Sequence, residues 1–328
     1  MQDTRNIYEQ QAANKRNTFL VMVLFTLLVG FLGLGFDFFL LGFGENEAAH
    51  GSRIGFPIAT LIALGVGSAQ SFWSLQAGSR TILSSSGAIP ISGDHPQYRR
   101  LSNIVDEMAI ASGLPRPQVY VIPDPDPNAF ATGKDPQHAS LAVTEGLLGQ
   151  LNREELQGVV AHEMGHIRNY DIRMMTVVAA LIGTVMLLSE FGLRSTRFGG
   201  GRRKSSGNRE GGAGGALIFI LWIVAMLLAP VVSQILAMAV SRQREYLADA
   251  SGAELTRNPM ALASALRKID AAVEPTRSIK KGTAHLCIAD PLGREINSRE
   301  GFFSDLLATH PPINKRITLL QAMAYQIT

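Results

Sequence analysis

The sequence is poor in cysteine and in charge. One cysteine, Cys287, in 328 residues excludes an internal disulfide framework and leaves no thiolate-rich zinc site to build. Any metal held by this chain must rest on imidazole and carboxylate. Charged side chains make up 17% of the residues, against about 25% in an ordinary soluble domain. Mean hydropathy is positive at +0.14, and the balance points to a membrane protein. A formal net charge of +3 is too small to argue for nucleic acid. No internal repeat divides the chain, and its length allows two or three compact units.

What charge there is avoids four stretches. Phe19 to Phe36 is an uncharged apolar run long enough to cross a bilayer. A cleaved signal peptide fits it less well, because the run is long and no convincing small-residue cleavage site follows. Ile54 to Ser79 is the second stretch, with Trp73 near its end as an interfacial anchor. The tail before the first span carries Arg5, Lys15 and Arg16, while the segment between the spans has only Arg53. The bias of Lys and Arg towards the cytoplasm therefore places the N-terminus there. Two crossings return the chain to the same side.

Met174 to Ser189 is a third, marginal stretch, and Gly211 to Ser241 a fourth, with Pro230 as a kink. The Gly-rich loop between them carries Arg194, Arg197, Arg202, Arg203, Lys204 and Arg209. A crossing would place that basic loop outside, against the usual tendency. Either the hairpin crosses despite the charges or it dips into the membrane without crossing. The expectation is that it crosses, since the fourth stretch is long and the first spans dominate orientation. The basic run reads as a solvated linker or a contact with lipid headgroups.

Between the hairpins lies a soluble-looking region. Asp94 and Pro96 open a helix with apolar Leu101, Ile104, Val105 and Met108, closed by Gly113 and Pro115. Gln118 to Ile122 alternates like a strand, and Ser140 to Thr144 is a second. Asn152 followed by Glu155 has the form of a capping box. It starts a helix with an apolar stripe of Leu156, Val159, Val160, Met164 and Ile167.

On that helix stands His162-Glu163-Met164-Gly165-His166. Histidines four apart share one helix face, so both imidazoles can reach one tetrahedral zinc. Glu163 lies beside them, placed to touch a water at the metal. The bland alternative is a packed helix with two histidines and a coincidental glutamate. A catalytic zinc takes three protein ligands, and the third must come from a later segment. Ser241 to Ala250 is the candidate: Glu245 and Asp249 share a helix face, Glu245 to bind metal and Asp249 to orient an imidazole. Alone, this pair would read as a solvated acidic face balanced by Arg242 and Arg244. Continuing the first helix at about 1.5 Å per residue puts His166 roughly 12 Å from Met174. Glu245 lies about 6 Å beyond Ser241 by the same measure. Both ligand helices would thus leave apolar stretches directly, and the metal would sit just above the membrane surface.

With these motifs together the chain resembles the HtpX family of membrane-bound zinc metalloproteases, relatives of the CaaX prenyl proteases. The resemblance rests on Asn128-Ala-Phe-Ala-Thr-Gly133, His162-Glu-Met-Gly-His-Ile-Arg-Asn-Tyr-Asp171, Arg244-Glu-Tyr-Leu-Ala-Asp249, Thr309-His-Pro-Pro312 and the two span pairs. It implies a bacterial inner-membrane endopeptidase, multi-pass, that degrades misfolded or damaged membrane proteins from the cytoplasmic side with one zinc per chain. It also implies His310 and Arg316 as donors to the oxyanion, and Asn128, Ala129, Phe130 and Ala131 as an edge strand pairing with extended substrate. On the residues alone, these are equally a loop histidine, a surface arginine and an ordinary strand. The long Gly/Arg loop and the segment Glu274 to Ser304 depart from the pattern.

The expected fold is α+β: a mainly helical integral membrane protein with a zincin-type active-site helix, a small sheet and about four transmembrane helices. Residues 1–79 form the tail and first hairpin, 80–173 the cytoplasmic catalytic lobe, 174–241 the second hairpin, and 242–328 the rest of the lobe. The expected partners are protein or peptide substrates and the lipid bilayer, without nucleic acid. A metal-binding transporter or non-catalytic scaffold is the competing class. Transport would favour ionisable ligands inside the spans, whereas here they lie outside. Processing of prenylated peptides is a narrower alternative, for which four spans are few.

Overall fold

The first two uncharged runs become long helices. The computed structural model describes residues 7–39, 56–91, 95–182, 244–272, 276, 278, 279, 281–289 and 311–327. Helix α1 spans Ile7–Phe39 and α2 Ile58–Ser85. Both are long and apolar enough to cross a membrane. The fourth apolar stretch, residues 183–189 of the third and the basic loop lie outside the described residues.

The chain divides into two compact units. One comprises Phe19–Trp73 with Leu181–Gln234, and its described part is the α1/α2 pair. Here Phe19, Leu27, Leu61, Ile62 and Phe72 are each more than half exposed, as side chains facing lipid would be. A carboxylate is nonetheless buried in the hairpin. Asp37 accepts from the backbone N–H of Ala59 at 2.8 Å, and from N–H and hydroxyl of Thr60 at 2.6 Å each. It satisfies the open first turn of α2 from another helix, as an N-cap residue does from its own. Gly33 makes the approach possible, since a Cβ there would lie 2.6 Å from Ala63 Cβ and 2.8 Å from the Ala59 carbonyl.

The other unit holds Met1–Thr18, Ser74–Ala180 and Ile235–Thr328. Its sheet contains β1 (Ile89–Pro90), β2 (Gln118–Ile122), β3 (Ala129–Gly133) and β4 (Ala139–Thr144), in the order β1-β2-β4-β3. Strands β2 and β4 run parallel, and β3 pairs antiparallel with β4 as the outer strand. Helix α3 (Pro96–Ser112) precedes β2. It ends at Gly113, whose φ of 68° closes the last turn in the left-handed conformation. Its N-cap is His95, which makes no side-chain cap bond; Asp94 lies outside the described residues. After β4 come α4 (Glu145–Gln150), α5 (Arg153–Arg168), α6 (helical over 171–182), α7 (helical over 244–256), α8 (Pro259–Asp270) and α9 (Ile313–Ile327).

Alternation along the strands sorts the core into two faces. Val119, Val121, Leu141 and Val143 pack with Leu101 and Ile104 of α3, Leu156 and Val160 of α5, and Leu262 and Leu266 of α8. On the opposite face Ile122, Phe130 and Ala142 pack with Ile82, Met175 and Cys287. The lone cysteine is thus a small buried apolar residue.

Candidate metal centre

Local chemistry starts α5 where the cap residues stand. Asn152 Oδ1 accepts from Glu155 N at 2.9 Å, and Glu155 Oε2 accepts from Asn152 N at 2.9 Å. The Glu155 carboxylate also accepts from Lys268 Nζ and Ser264 Oγ of α8, both at 2.7 Å. Burial pushes its pKa up, but Lys268 and these hydrogen bonds outweigh burial and hold it below the usual carboxylate value. All five residues of the expected stripe are completely buried.

One turn apart on this helix, His162 and His166 stand edge to face with ring centroids 4.8 Å apart. Helix α7 crosses them closely. A Cβ on Gly252 would lie 3.1 Å from His162 N, and one on Gly165 would lie 3.3 Å from Ala248 Cα. That approach brings Glu245 Oε2 to 3.6 Å from His162 Nε2 and Glu245 Oε1 to 3.4 Å from His166 Nε2. Ligand atoms of the three residues fall within 4.8 Å of one another, and all three side chains are buried. Among the described residues His162 Nε2 has no hydrogen-bond partner. The Glu163 carboxylate is faced by the Ala131 backbone N–H of β3 but completes no hydrogen bond to a described residue.

Carboxylates back both rings. His162 Nδ1 lies 2.9 Å from Asp249 Oδ1, and His166 Nδ1 lies 3.0 Å from Asp171 Oδ2. With each Nδ1 facing a carboxylate, each Nε2 is left to bind a cation. Arg316 grips Asp249 through Nε at 2.8 Å and Nη2 at 2.7 Å. Its Nη1 donates to the Ile288 carbonyl at 3.0 Å and lies 3.1 Å from Glu245 Oε2. Arg244 Nε lies 3.6 Å from Asp171. Glu163, Glu245, Asp171 and Asp249 thus face Arg244 and Arg316, an excess of two negative charges when both histidines are neutral. Once deprotonated, the two imidazoles and a carboxylate converging on one point, with that excess, suit a divalent cation. Burial raises the Glu163 pKa, the histidines oppose the rise and Glu245 adds to it. For His166 burial disfavours charge, yet Asp171 and Glu245 outweigh burial and raise its pKa well above the usual value.

Several expectations meet a different arrangement. Helix α5 does not continue to Met174. It ends at Arg168, Tyr170 takes φ 60°, and a new helix begins at 171. The distance along a continuous helix therefore does not apply; the turn folds Asp171 back onto His166. Arg316 is buried against Asp249 and Glu245, so its guanidinium already has a role in holding acidic groups. His310 lies outside the described residues, as do 241–243.

Asn128 to Ala131 lie at the outer edge of the sheet, but that edge is partly taken. Ile288 N donates to the Ala129 carbonyl at 2.9 Å, and Phe130 forms an antiparallel bridge with Cys287. Asn128 Nδ2 donates to Thr276 Oγ1 and to the Ala289 carbonyl, each at 3.2 Å. Asp126 accepts from the Thr276 hydroxyl, and Asp124 Oδ2 from Ser278 N at 2.9 Å. Part of the segment that sequence patterns leave unplaced is thus clipped beside β3. Sequence reasoning gave Asp171 no role in the centre and Arg244 only that of balancing a solvated acidic face. Asp171 does stand inside the quoted motif, five positions after His166.

A helix-borne pair of histidines, closed by a glutamate from a second helix and carrying a glutamate between them, defines a metallopeptidase centre. Known proteins agree. The sequence profile of Peptidase family M48 matches residues 96–324, and the chain belongs to that family. It is 42% identical over 319 residues to the Protease HtpX homolog of Caldanaerobacter subterraneus subsp. tengcongensis, covering 97% of this chain and 98% of that one. It is 41% identical to the Protease HtpX homolog of Ligilactobacillus salivarius, covering 97% and 100%. A crystal structure of S. mikatae Ste24p matches loosely, at TM-score 0.43 and 18% identity, over 79% of this chain and 64% of that one.

Proposed function

We propose that this membrane metallopeptidase is a zinc endopeptidase that cleaves misfolded or damaged membrane proteins at the cytoplasmic face of a bacterial inner membrane. His162, His166 and Glu245 would hold one zinc per chain, with Asp249 orienting His162. Zinc supplies Lewis acidity, polarising a carbonyl and acidifying a water. Glu163 takes a proton from the attacking water and delivers it to the leaving amine. Its raised pKa suits a group that must hold that proton between the two steps. His310 supplies a donor to the oxyanion, whereas Arg316 acts through Asp249 and Glu245. The outer edge at Asn128, Ala129, Phe130 and Ala131 receives substrate as an added strand. In support, the chain's own Ile288 N already uses that edge, donating to Ala129 O at 2.9 Å.

Residues 80–173 and 242–328 together form the catalytic lobe, and the third and fourth apolar stretches cross the bilayer as α1 and α2 do. The observation that carries the reading is the buried Glu163, one residue from His162 and facing the strand edge through Ala131. Detergent-purified wild type and Glu163→Gln should bind equal zinc, and only the wild type should cleave casein. Equal zinc with equal cleavage would remove Glu163 from the chemistry. Absence of zinc from both would remove the metal centre.

A further inference from the structure

Asp171 orients His166 with one oxygen, and its other oxygen is held from outside the peptidase-family region. Asn14 Nδ2 donates to Asp171 Oδ1 at 2.7 Å and to the Asn169 carbonyl at 2.8 Å. Asn14 belongs to α1, and the family profile begins at residue 96. It is 7% exposed, and Asp171 is 1% exposed. Three residues on one side of this turn of α1 meet the corner between α5 and α6. Besides Asn14, Gln11 Nε2 donates to the Arg168 carbonyl at 2.8 Å, and Lys15 Nζ lies 4.2 Å from the centre of the Tyr170 ring. The corner needs holding, because Tyr170 keeps a left-handed φ of 60° that L side chains disfavour.

A carboxylate attached at one oxygen can still swing about its own side-chain bonds. Arg244 Nε also faces Oδ1, but at 3.6 Å it is beyond hydrogen-bond distance; Asn14 removes that freedom, since its amide nitrogen has two N–H groups and ties Oδ1 to the backbone of the corner. Oδ2 is then aimed at His166 Nδ1, and the ring turns Nε2 towards Glu245. We propose that Asn14 is a positioning residue of the metal centre, fixing the His166 imidazole through Asp171, so that the first helix completes a site otherwise built from the family region. The inference rests on His166 being a metal ligand.

The full-length protein in detergent is loaded with zinc, and its release to an excess of chelator is timed with a zinc indicator. Asn14→Ala should release zinc about tenfold faster than wild type, at the low end for outer partners of a ligating histidine. Gln11→Ala should match the wild type, since Gln11 touches the same corner but not Asp171. In an Asp171→Ala background, replacing Asn14 should change nothing further. Release from Asn14→Ala at the wild-type rate would overturn the role, as would an equal acceleration by Gln11→Ala or an additive effect with Asp171→Ala. If Asn14→Ala does not fold, Asn14→Ser takes its place. Failure of both while Gln11→Ala folds would show a folding role and overturn the positioning one. A wild type that binds no zinc would overturn the metal-site reading itself, an outcome distinct from zinc held equally by wild type and variant.

Discussion

Replacing Arg316 with methionine should destabilise the metal-free protein rather than act on a step of catalysis. The guanidinium is 1% exposed and makes two hydrogen bonds to Asp249, one to the Ile288 carbonyl and an ion pair with Glu245. Methionine fills much of the same space but removes the positive charge opposite Asp249 and Glu245. For Asp249, burial raises the pKa, yet Arg316 and His162 outweigh burial and hold it below the ordinary value. Breaking one partner from a buried ion pair costs about 3–5 kcal/mol, because the remaining charge is left uncompensated. For a unit of this size that is a fall in melting temperature of about 10 °C. Zinc should offset part of the loss, since a divalent cation beside Glu245 replaces some of the missing positive charge. The melting shift on adding zinc should therefore be larger in Arg316→Met than in wild type. Arg316→Lys should fall between them, keeping a charge but losing the planar fork that engages both Asp249 oxygens. Differential scanning fluorimetry with and without zinc reads all of these. An arginine whose role was to donate to the oxyanion would behave differently: its replacement would leave the melt unchanged and lower kcat alone. That outcome would refute the reasoning.

Two further perturbations test the frame around the centre. Glu155 is held below its ordinary pKa of 4.5, so its contribution is complete above that value and fades as pH falls through the lower folded-state value. The melting gap between wild type and Glu155→Gln should be widest near neutral pH and close on acidification below the ordinary value of 4.5; a gap that stays constant would dissociate the capping box from stability. Gly252→Ala should press a methyl against His162 N, since a Cβ at that position would lie only 3.1 Å away, and ease α7 away from α5. Zinc affinity, measured by competition with a chelator, should fall severalfold while the zinc-free melt changes by only about 1–3 kcal/mol; unchanged affinity would mean the helix spacing does not set the site.

The parts legible in the sequence are those written in local code. Asn152 and Glu155 cap α5 with their own backbone, and the stripe from Leu156 to Ile167 needs only helical periodicity to be seen. Strands β2 and β4 show in short runs rich in β-branched and apolar residues. The contacts of Asp171 were not legible, because a periodic reading continues the helix where Tyr170 turns left-handed. Nothing about tyrosine favours that turn; Gln11, Asn14 and Lys15, more than 150 positions earlier in sequence, hold the corner. Arg316 reads equally well as a surface residue until Asp249 is seen opposite it. Thr276, Ser278 and Ala289 are held by side-chain hydrogen bonds with Asp126, Asp124 and Asn128, which no periodic pattern announces.

If substrate adds to β3 as proposed, the occupied edge turns recognition into a competition. Ile288 N sits on the Ala129 carbonyl and Asn128 holds Ala289, so a peptide adding there must displace this short segment of the same molecule. Its apparent affinity is the intrinsic one scaled by the fraction of molecules whose edge is open. If about one molecule in a hundred is open, the penalty is about a hundredfold. A folded protein with only a short accessible loop would not recover that loss, whereas a long extended segment could add contacts along the strand edge until it does. On that proposal, selectivity for unfolded chains needs no side-chain pocket: it follows from the threshold that the tethered segment sets.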